Sequence, residues 1–185
     1  MRTKFYTKKG DKGSTLLGKK KISKDNPFFY LLGGLDELNS WIGFCRTGVK
    51  NKSKLKDIAV WLFDIQEMLF IAQAELASVR SGFKPKVKIT LEKIEKLEEI
   101  VLKIDKKIPP ITKFVISGEG EESSRIDVGR AMARHVERLA KNYAGQEKIS
   151  LEFLQFLNRL SSALFALARY VNWKLKIKEK HPRYR

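Results

Sequence analysis

Two separated segments of the chain combine residue types that can bind a polyanion. The first is the loop of residues 7–15, rich in glycine, lysine and hydroxyl side chains, and the second is the basic cluster of residues 130–138. Backbone N–H groups of a small-residue loop can bind phosphate oxygens, and arginine guanidinium groups bind the same oxygens bidentately. Together the two segments predict a polyphosphate site.

The basic cluster falls on one face of a predicted helix. Arg130, Arg134, Glu137 and Arg138 stand at i, i+4, i+7 and i+8, so their side chains project from the same side. Glu137 offsets part of the repulsion among the three arginines, and the remaining charge favours an anion or an acidic partner helix. The alternative is an ordinary solvated basic face.

Other polar residues carry weaker signals. Asp36 and Glu37 are adjacent carboxylates on the first predicted helix. They are either exposed polar residues, or Asp36 pairs with an arginine elsewhere, including across a subunit boundary. His135 and His181 have no Cys/His cluster near them in the sequence, so no structural zinc site is expected.

The elements that position these residues are predicted from apolar spacing and capping residues. Residues 1–27 should be extended or looped, because glycines and a proline interrupt any helix there. Five amphipathic helices are predicted to follow. The first covers about residues 28–47, the second begins at a cap at Ser53, and the third extends from a cap at Thr90 to the prolines at 109–110. The fourth follows the loop of residues 117–120, and the fifth begins near Ser150. They predict an all-α, antiparallel five-helix bundle in a single domain of residues 1–185. The basic tail of residues 174–185 is predicted to be a frayed, solvated end.

Composition narrows the class of protein. The formal net charge of +17 suggests a nucleic-acid binder, but the lysines are spread along the chain and alternate with glutamates, as on solvated helix faces. A nucleic-acid partner is therefore not favoured. Cys45 is the one cysteine and lies in an apolar stretch, which predicts a buried thiol in a reducing compartment. With no signal-peptide core and no apolar run of about 18 residues, a cytoplasmic location without membrane association is expected.

Several ordered stretches together resemble a known family, the ATP:cob(I)alamin adenosyltransferases of the propanediol-utilisation type. The resemblance extends from about residue 6 to residue 172. It includes the two segments above and the stretches 23–25, 36–39, 65–77, 114–118 and 157–169. It implies a five-helix bundle that forms a homotrimer with each active site at a subunit interface.

The resemblance also implies roles for individual residues. In one subunit the ATP-binding residues would be Thr7, Lys8, Lys9, Gly10, Asp11, Gly13, Ser14, Thr15 and Lys24, within the N-terminal ATP loop of residues 1–27. In the neighbouring subunit they would be Arg134, Glu137, Arg138 and Asn158. Asp36 would pair with Arg130 across the interface and shape the corrinoid pocket. Phe114 would approach the lower face of the corrin, exclude an axial ligand and favour four-coordinate cobalt. Asp36, Phe114, Arg130 and Arg134 form the implied catalytic set.

The implied reaction needs no protein nucleophile. Cob(I)alamin would attack the 5′ carbon of ATP, giving adenosylcobalamin and triphosphate, while the protein positions the reactants and stabilises the leaving anion. Mg²⁺ would accompany ATP, with no metal ligand predicted from the protein, and a cob(II)alamin reductase is an expected partner.

Three departures from the family pattern keep open the possibility of a bundle that has lost the family's activity. The family usually has threonine at the position of Lys9, a second arginine at that of His135, and a Pro-Gly-Gly turn at residues 117–119. Our hypothesis is that Lys9 supplies the positive charge that a neutral histidine lacks. The alternatives are a catalytically inactive ATP-binding bundle and a basic polyanion-binding protein.

Overall fold

A β-hairpin and five long helices make up the computed structural model, which describes residues 5–6, 8, 10–18, 20–145 and 148–184. The elements are β1 (Ser14–Leu17), β2 (Lys20–Ser23), α1 (Pro27–Val49), α2 (Lys56–Ser81), α3 (Leu91–Asp105), α4 (Glu121–Ala144) and α5 (Leu151–Leu175). The two strands pair antiparallel, with Ser14 opposite Ser23 and Leu17 opposite Lys20. The prediction of a five-helix fold is confirmed, and the N-terminal region additionally contains this hairpin.

The helices pack side by side in an order that differs from their order in the chain. α1 packs against α2 and α4, and α5 packs against α4 and α3. Each interface buries apolar residues at the spacing seen in the sequence, such as Leu62 and Ile65 on α2 and Leu157 and Leu160 on α5, all at 0% exposure. The core therefore runs through the row α2, α1, α4, α5, α3.

Glycines allow α1 and α4 to approach closely. A Cβ atom added at Gly34 would lie 3.2 Å from Val136 Cγ2, and one added at Gly129 would lie 3.2 Å from Ile42 Cδ1. At either position even a Cβ atom would require these side chains to shift slightly. Gly129 of α4 thus faces α1, while the arginines of α4 lie on the half-buried and exposed part of the helix.

Helix ends agree with the sequence at some positions and not at others. Asn26 Oδ1 accepts the N–H of Phe28 at 3.0 Å, and Ser150 Oγ accepts the N–H of Phe153 at 3.2 Å. The predicted cap at Ser53 is wrong, because the chain first forms a 3-10 helix over Ser53–Leu55 that buries Leu55, and α2 begins after it. Thr90 stands at the N-cap of α3, but its side chain accepts no backbone N–H.

The predicted frayed end of the basic tail is also wrong. Lys174 Nζ lies 2.7 Å from Asp57 Oδ2, and the N–H of Ile116 donates to the carbonyl of Lys180 at 2.8 Å. The chain turns back after α5 because Lys176 adopts a left-handed conformation with φ of 57°. Composition suggested solvation, whereas specific partners on α2 and on the loop before α4 hold the tail in place.

Across the part of the chain that the structure describes, no helix has both the length and the apolar character that a membrane span requires.

Candidate functional site

The arginines of α4 line one wall of an apolar groove at the candidate site. Arg130 and Arg134 form this wall, and α5 contributes Ser162 and Phe165 to the opposite one. Apolar residues of α3 and of the following loop, Val101, Ile104, Ile108 and Ile111, close the groove, whose volume is about 390 Å³. The structure therefore joins the arginine stripe to the polar second face of α5 at one surface.

A second hollow of about 450 Å³ continues along the same two helices. Glu137 on α4 and Asn158 on α5 line it, and Asn158 Nδ2 donates to Glu137 Oε1 at 2.9 Å. Asn158 is also held by Arg159, whose Nη1 donates to Asn158 Oδ1 at 2.8 Å. Two residues predicted from separate parts of the sequence to act together are thus in direct contact.

The three arginines differ in how their charges are neutralised. Arg130 is half-buried, and its Nε lies 3.3 Å from Asp127 Oδ1. Arg134 and Arg138 are exposed, and neither has a carboxylate within 4.0 Å among the described residues. Two unneutralised guanidinium groups one helical turn apart form the type of surface that binds a multiply charged anion.

The described part of the N-terminal loop brings Lys24 next to its glycines. The N–H of Lys24 donates to the carbonyl of Gly13 at 2.9 Å, and the N–H of Gly13 donates to that of Gly10 at 3.3 Å. A Cβ at Gly10 would lie 3.1 Å from Lys24 Nζ, so the ammonium group lies directly against the backbone of this glycine. Gly13 has a φ of 72°, which glycine adopts without strain.

The remaining loop residues fall into two groups. Lys8 has a φ of 58°, Asp11 is exposed, and Ser14 and Thr15 are half-buried at the start of β1. Thr7 and Lys9 lie outside the described residues, so their predicted roles, including the charge assigned to Lys9, stay predictions.

The loop and the arginine stripe remain separate within one chain. No hydrogen bond or ion pair between described residues connects residues 8–18 or Lys24 with α4 or α5. The hairpin instead approaches the end of α2, where a Cβ at Gly18 would lie 3.5 Å from Phe83. The predicted ATP-binding residues therefore fall into two groups, a loop half-site and a helical half-site, with no bond between their described members.

Asp36 and Phe114 are both available at the surface. Asp36 is exposed on α1 and has no ion-pair partner within the described ranges, while Arg130 is paired with Asp127 of its own helix. Phe114 lies in the loop between α3 and α4 with 78% of its side chain exposed. Its carbonyl accepts a hydrogen bond from His181 Nδ1 at 2.8 Å.

A buried ionic cluster behind the groove was missed by the sequence reasoning. Arg169 on α5 is 3% exposed, and its Nη2 donates to Asp127 Oδ2 at 2.5 Å. Its guanidinium carbon lies 5.2 Å from the centre of the Phe165 ring, which lines the groove. The available signals were the i, i+3 spacing of Asp127 and Arg130 and the i, i+4 spacing of Phe165 and Arg169. The pairing between the two helices has no sequence signal.

Within the described portion of the chain, no three His, Cys, Asp or Glu side chains are arranged to hold a metal ion. The exposed Arg134 and Arg138 beside the apolar groove form an arrangement that can bind a polyphosphate through cationic groups.

Comparisons with known proteins agree with one another. A sequence profile of the cobalamin adenosyltransferase family matches residues 5–171. The chain is 34% identical over 169 residues to the corrinoid adenosyltransferase of Bacillus subtilis, covering 91% of this chain and 86% of that protein. It is 34% identical over 167 residues to the corrinoid adenosyltransferase PduO of Citrobacter freundii, covering 89% of this chain and 49% of that protein. The chain thus spans about half the length of the latter relative.

The fold has a solved counterpart. A structure of a variant PduO-type ATP:corrinoid adenosyltransferase from Lactobacillus reuteri, complexed with cobalamin and ATP, aligns with a TM-score of 0.89 at 32% sequence identity. The alignment covers 98% of this chain and 97% of that chain.

Proposed function

The chain belongs to the cobalamin adenosyltransferase family, and on this premise we propose that it transfers the 5′-deoxyadenosyl group of ATP to cob(I)alamin. The observation that carries the proposal is the pair of exposed, unneutralised arginines, Arg134 and Arg138, beside the Glu137–Asn158 contact. This surface suits a triphosphate, and the adjoining apolar groove suits the large planar face of a corrinoid.

In the reaction, the cobalt–carbon bond forms as the bond between the 5′ carbon and the triphosphate oxygen breaks. Cob(I)alamin supplies the electron pair of the new bond, and triphosphate leaves with the pair of the broken one. Arg134 and Arg138 stabilise the leaving anion, since it carries more charge than the same group in ATP. Mg²⁺ arrives with the phosphates of ATP as part of the substrate.

The two half-sites are proposed to meet across a subunit boundary in a homotrimer. Lys24 and the loop of residues 7–15 from one subunit bind the phosphates together with the α4 stripe of the next. Two observations on the described residues support this arrangement: no hydrogen bond or ion pair joins the half-sites within one chain, and Asp36 is exposed without an ion-pair partner. In the trimer Asp36 pairs with Arg130, which then has a carboxylate from each of two subunits.

Phe114 is proposed to contact the lower face of the corrin. Its exposure of 78% leaves the ring free for a ligand, and its loop also contributes Ile111 to the groove. An aromatic ring at that face excludes an axial ligand, which makes cob(II)alamin easier to reduce to the nucleophilic Co(I) state. The reaction therefore also requires an electron-donating partner, a cob(II)alamin reductase.

The test is an anaerobic assay with the protein, Mg-ATP and chemically reduced cob(I)alamin. We expect the absorption spectrum of light-sensitive adenosylcobalamin to develop only when both ATP and protein are present. No product, in the presence of a working control enzyme, would contradict the proposal. ATP binding without product would instead identify an inactive nucleotide-binding bundle.

A further inference from the structure

The C-terminal strap, residues 177–181, contacts the loop that carries Phe114 at several points. The N–H of Ile116 donates to the Lys180 carbonyl at 2.8 Å, and His181 Nδ1 donates to the Phe114 carbonyl at 2.8 Å. Lys180 Nζ also lies 3.2 Å from Glu119 Oε1. These three contacts involve Phe114 itself and two residues that follow it in the loop.

The strap is connected at its other side to the buried ionic cluster. Glu179 Oε1 lies 3.2 Å from Arg169 Nε and accepts a hydrogen bond from Asn172 Nδ2 at 2.8 Å. Arg169 in turn contacts Asp127, which contacts Arg130. A continuous series of ion pairs thus leads from the strap to a wall of the groove.

The loop that carries Phe114 has few structural contacts within itself, so contacts from the strap determine its position. Residues 106–120 contain no helix or strand, and the Phe114 ring does not pack into the core. Gly120, at the end of the loop, has no room for a side chain, since a Cβ there would lie 2.7 Å from Ile177 Cδ1 and 2.9 Å from Asn172 Oδ1. The strap and the loop end are therefore packed directly against each other.

We propose that the C-terminal strap is a positioning element for the corrinoid site, with His181 and Glu179 as positioning residues. His181 fixes the backbone of Phe114, and Glu179 keeps Arg169 and Asp127 in the arrangement that orients Arg130. The proposal rests on the proposed function, because it assumes that Phe114 sets the coordination number of the bound cobalt. Neither residue has to touch the substrate.

The experiment compares His181→Ala, His181→Asn and Glu179→Gln with the unaltered full chain. Arg183→Ala serves as the matched control, because Arg183 is an exposed tail residue that forms no hydrogen bond or ion pair with another described residue. Each protein is mixed with ATP and cob(II)alamin, and the four-coordinate cobalt fraction is measured by electron paramagnetic resonance. ATP affinity and Tm are measured in parallel, and kcat and KM are measured with cob(II)alamin after addition of a one-electron reductant that generates cob(I)alamin.

For His181→Ala we expect the ratio of four- to five-coordinate cobalt, and kcat with cob(II)alamin, to fall about fivefold, as the loss of one hydrogen bond predicts. ATP affinity should change less than about twofold, because the nucleotide half-sites are untouched. His181→Asn should recover most of the four-coordinate fraction, since its amide N–H occupies the position of Nδ1. Glu179→Gln should shift the ratio in the same direction, because it leaves Arg169 with one carboxylate fewer.

Unchanged cobalt coordination in both His181→Ala and Glu179→Gln would overturn the positioning role. An equal loss in Arg183→Ala would also overturn it, since the effect would then be a general property of the tail. A loss that follows Tm alone, without recovery in His181→Asn, would reduce the strap to a stabilising contact. Failure of the proposed function is distinguishable, because the unaltered protein would then form no adenosylcobalamin.

Discussion

Whether an arginine near the groove can bind a ligand depends on whether a carboxylate already neutralises its charge. Arg169 is buried and contacts Asp127 and Glu179, so its charge is used within the protein. Arg130 is half-buried and shares Asp127. Arg134 is exposed without an acidic partner among the described residues, so its charge is available to a ligand. Residues of one type in one region thus have structural, intermediate and ligand-binding roles.

Replacing Arg134 by alanine should weaken ATP binding at least about tenfold, because charge-assisted hydrogen bonds to phosphate are lost. Isothermal titration calorimetry with Mg-ATP measures the change. Lys50→Ala is the control, because Lys50 is exposed at the end of α1 and its substitution also removes one positive charge. Equal weakening by both substitutions would mean that net charge, rather than the stripe, determines affinity.

Cys45, in contrast, has a side chain that is reactive in solution but is made unreactive by burial in the folded protein. Burial raises the pKa of its thiol to about 12, although the positive charge of Arg125 acts in the other direction. Since the thiolate is the reactive form, the native protein should not react with a maleimide at about pH 8. Mass spectrometry should show one modified cysteine only after unfolding in guanidinium. Rapid labelling of the folded protein would contradict the buried assignment.

At the scale of elements, a buried carboxylate joins the beginning of α4 to the connection between α1 and α2. Glu122, in the first turn of α4, forms an ion pair with Lys52. Burial raises the pKa of Glu122, but the hydrogen bond from Lys52 and the charges of Lys52 and Arg125 outweigh it, so the pKa is lowered overall. A carboxyl group with a depressed pKa stabilises the folded state above its ordinary pKa, and this contribution is lost as the pH falls.

Glu122→Gln should therefore lower the free energy of unfolding by about 1–2 kcal/mol at neutral pH. The difference from the unaltered protein should shrink at acidic pH, below the ordinary pKa of a glutamate, because the carboxylate of the unaltered protein then becomes protonated. Urea unfolding at both pH values measures it. Glu121→Gln is the control in the same helical turn, because its side chain is 71% exposed and its ion pair contributes little. A pH-independent difference would contradict the ionic origin.

The elements were predictable where a repeating pattern determines them. Leu55, Ile58 and Leu62 recur at helical spacing, and all three are fully buried. The α4 stripe follows from helical spacing, whereas the role of Asn158, which contacts Glu137, was implied only by the family resemblance. The strap was not predictable, because Lys180 and His181 are polar residues in a basic tail, and their partners lie more than sixty positions away. Such contacts follow from tertiary packing and not from local propensity.

At the scale of the whole molecule, the proposed sharing of each site between subunits can be tested by complementation. A Lys24→Ala chain lacks part of the loop half-site, and an Arg134→Ala chain lacks part of the helical one. Each homotrimer should be nearly inactive. Trimers reassembled from an equal mixture should regain about one quarter of the activity, because each half-site is intact in about half of the subunits.

Sedimentation must show that the reassembled species is a trimer before its activity is interpreted. Reassembled unaltered protein provides the reference activity. Mixed trimers that remain inactive would contradict the sharing of sites, as would an active protein that sediments as a monomer.

The separation of the half-sites on one chain has a consequence for how the protein responds to dilution. If ATP binds only where two chains meet, every bound ATP also holds two chains together, and nucleotide affinity and assembly are thermodynamically linked. Specific activity should then fall when the protein is diluted below the dissociation constant of the trimer, and added ATP should restore it. ATP would then stabilise the contact between subunits in addition to being a reactant. A cell poor in ATP would contain fewer assembled sites as well as fewer occupied ones.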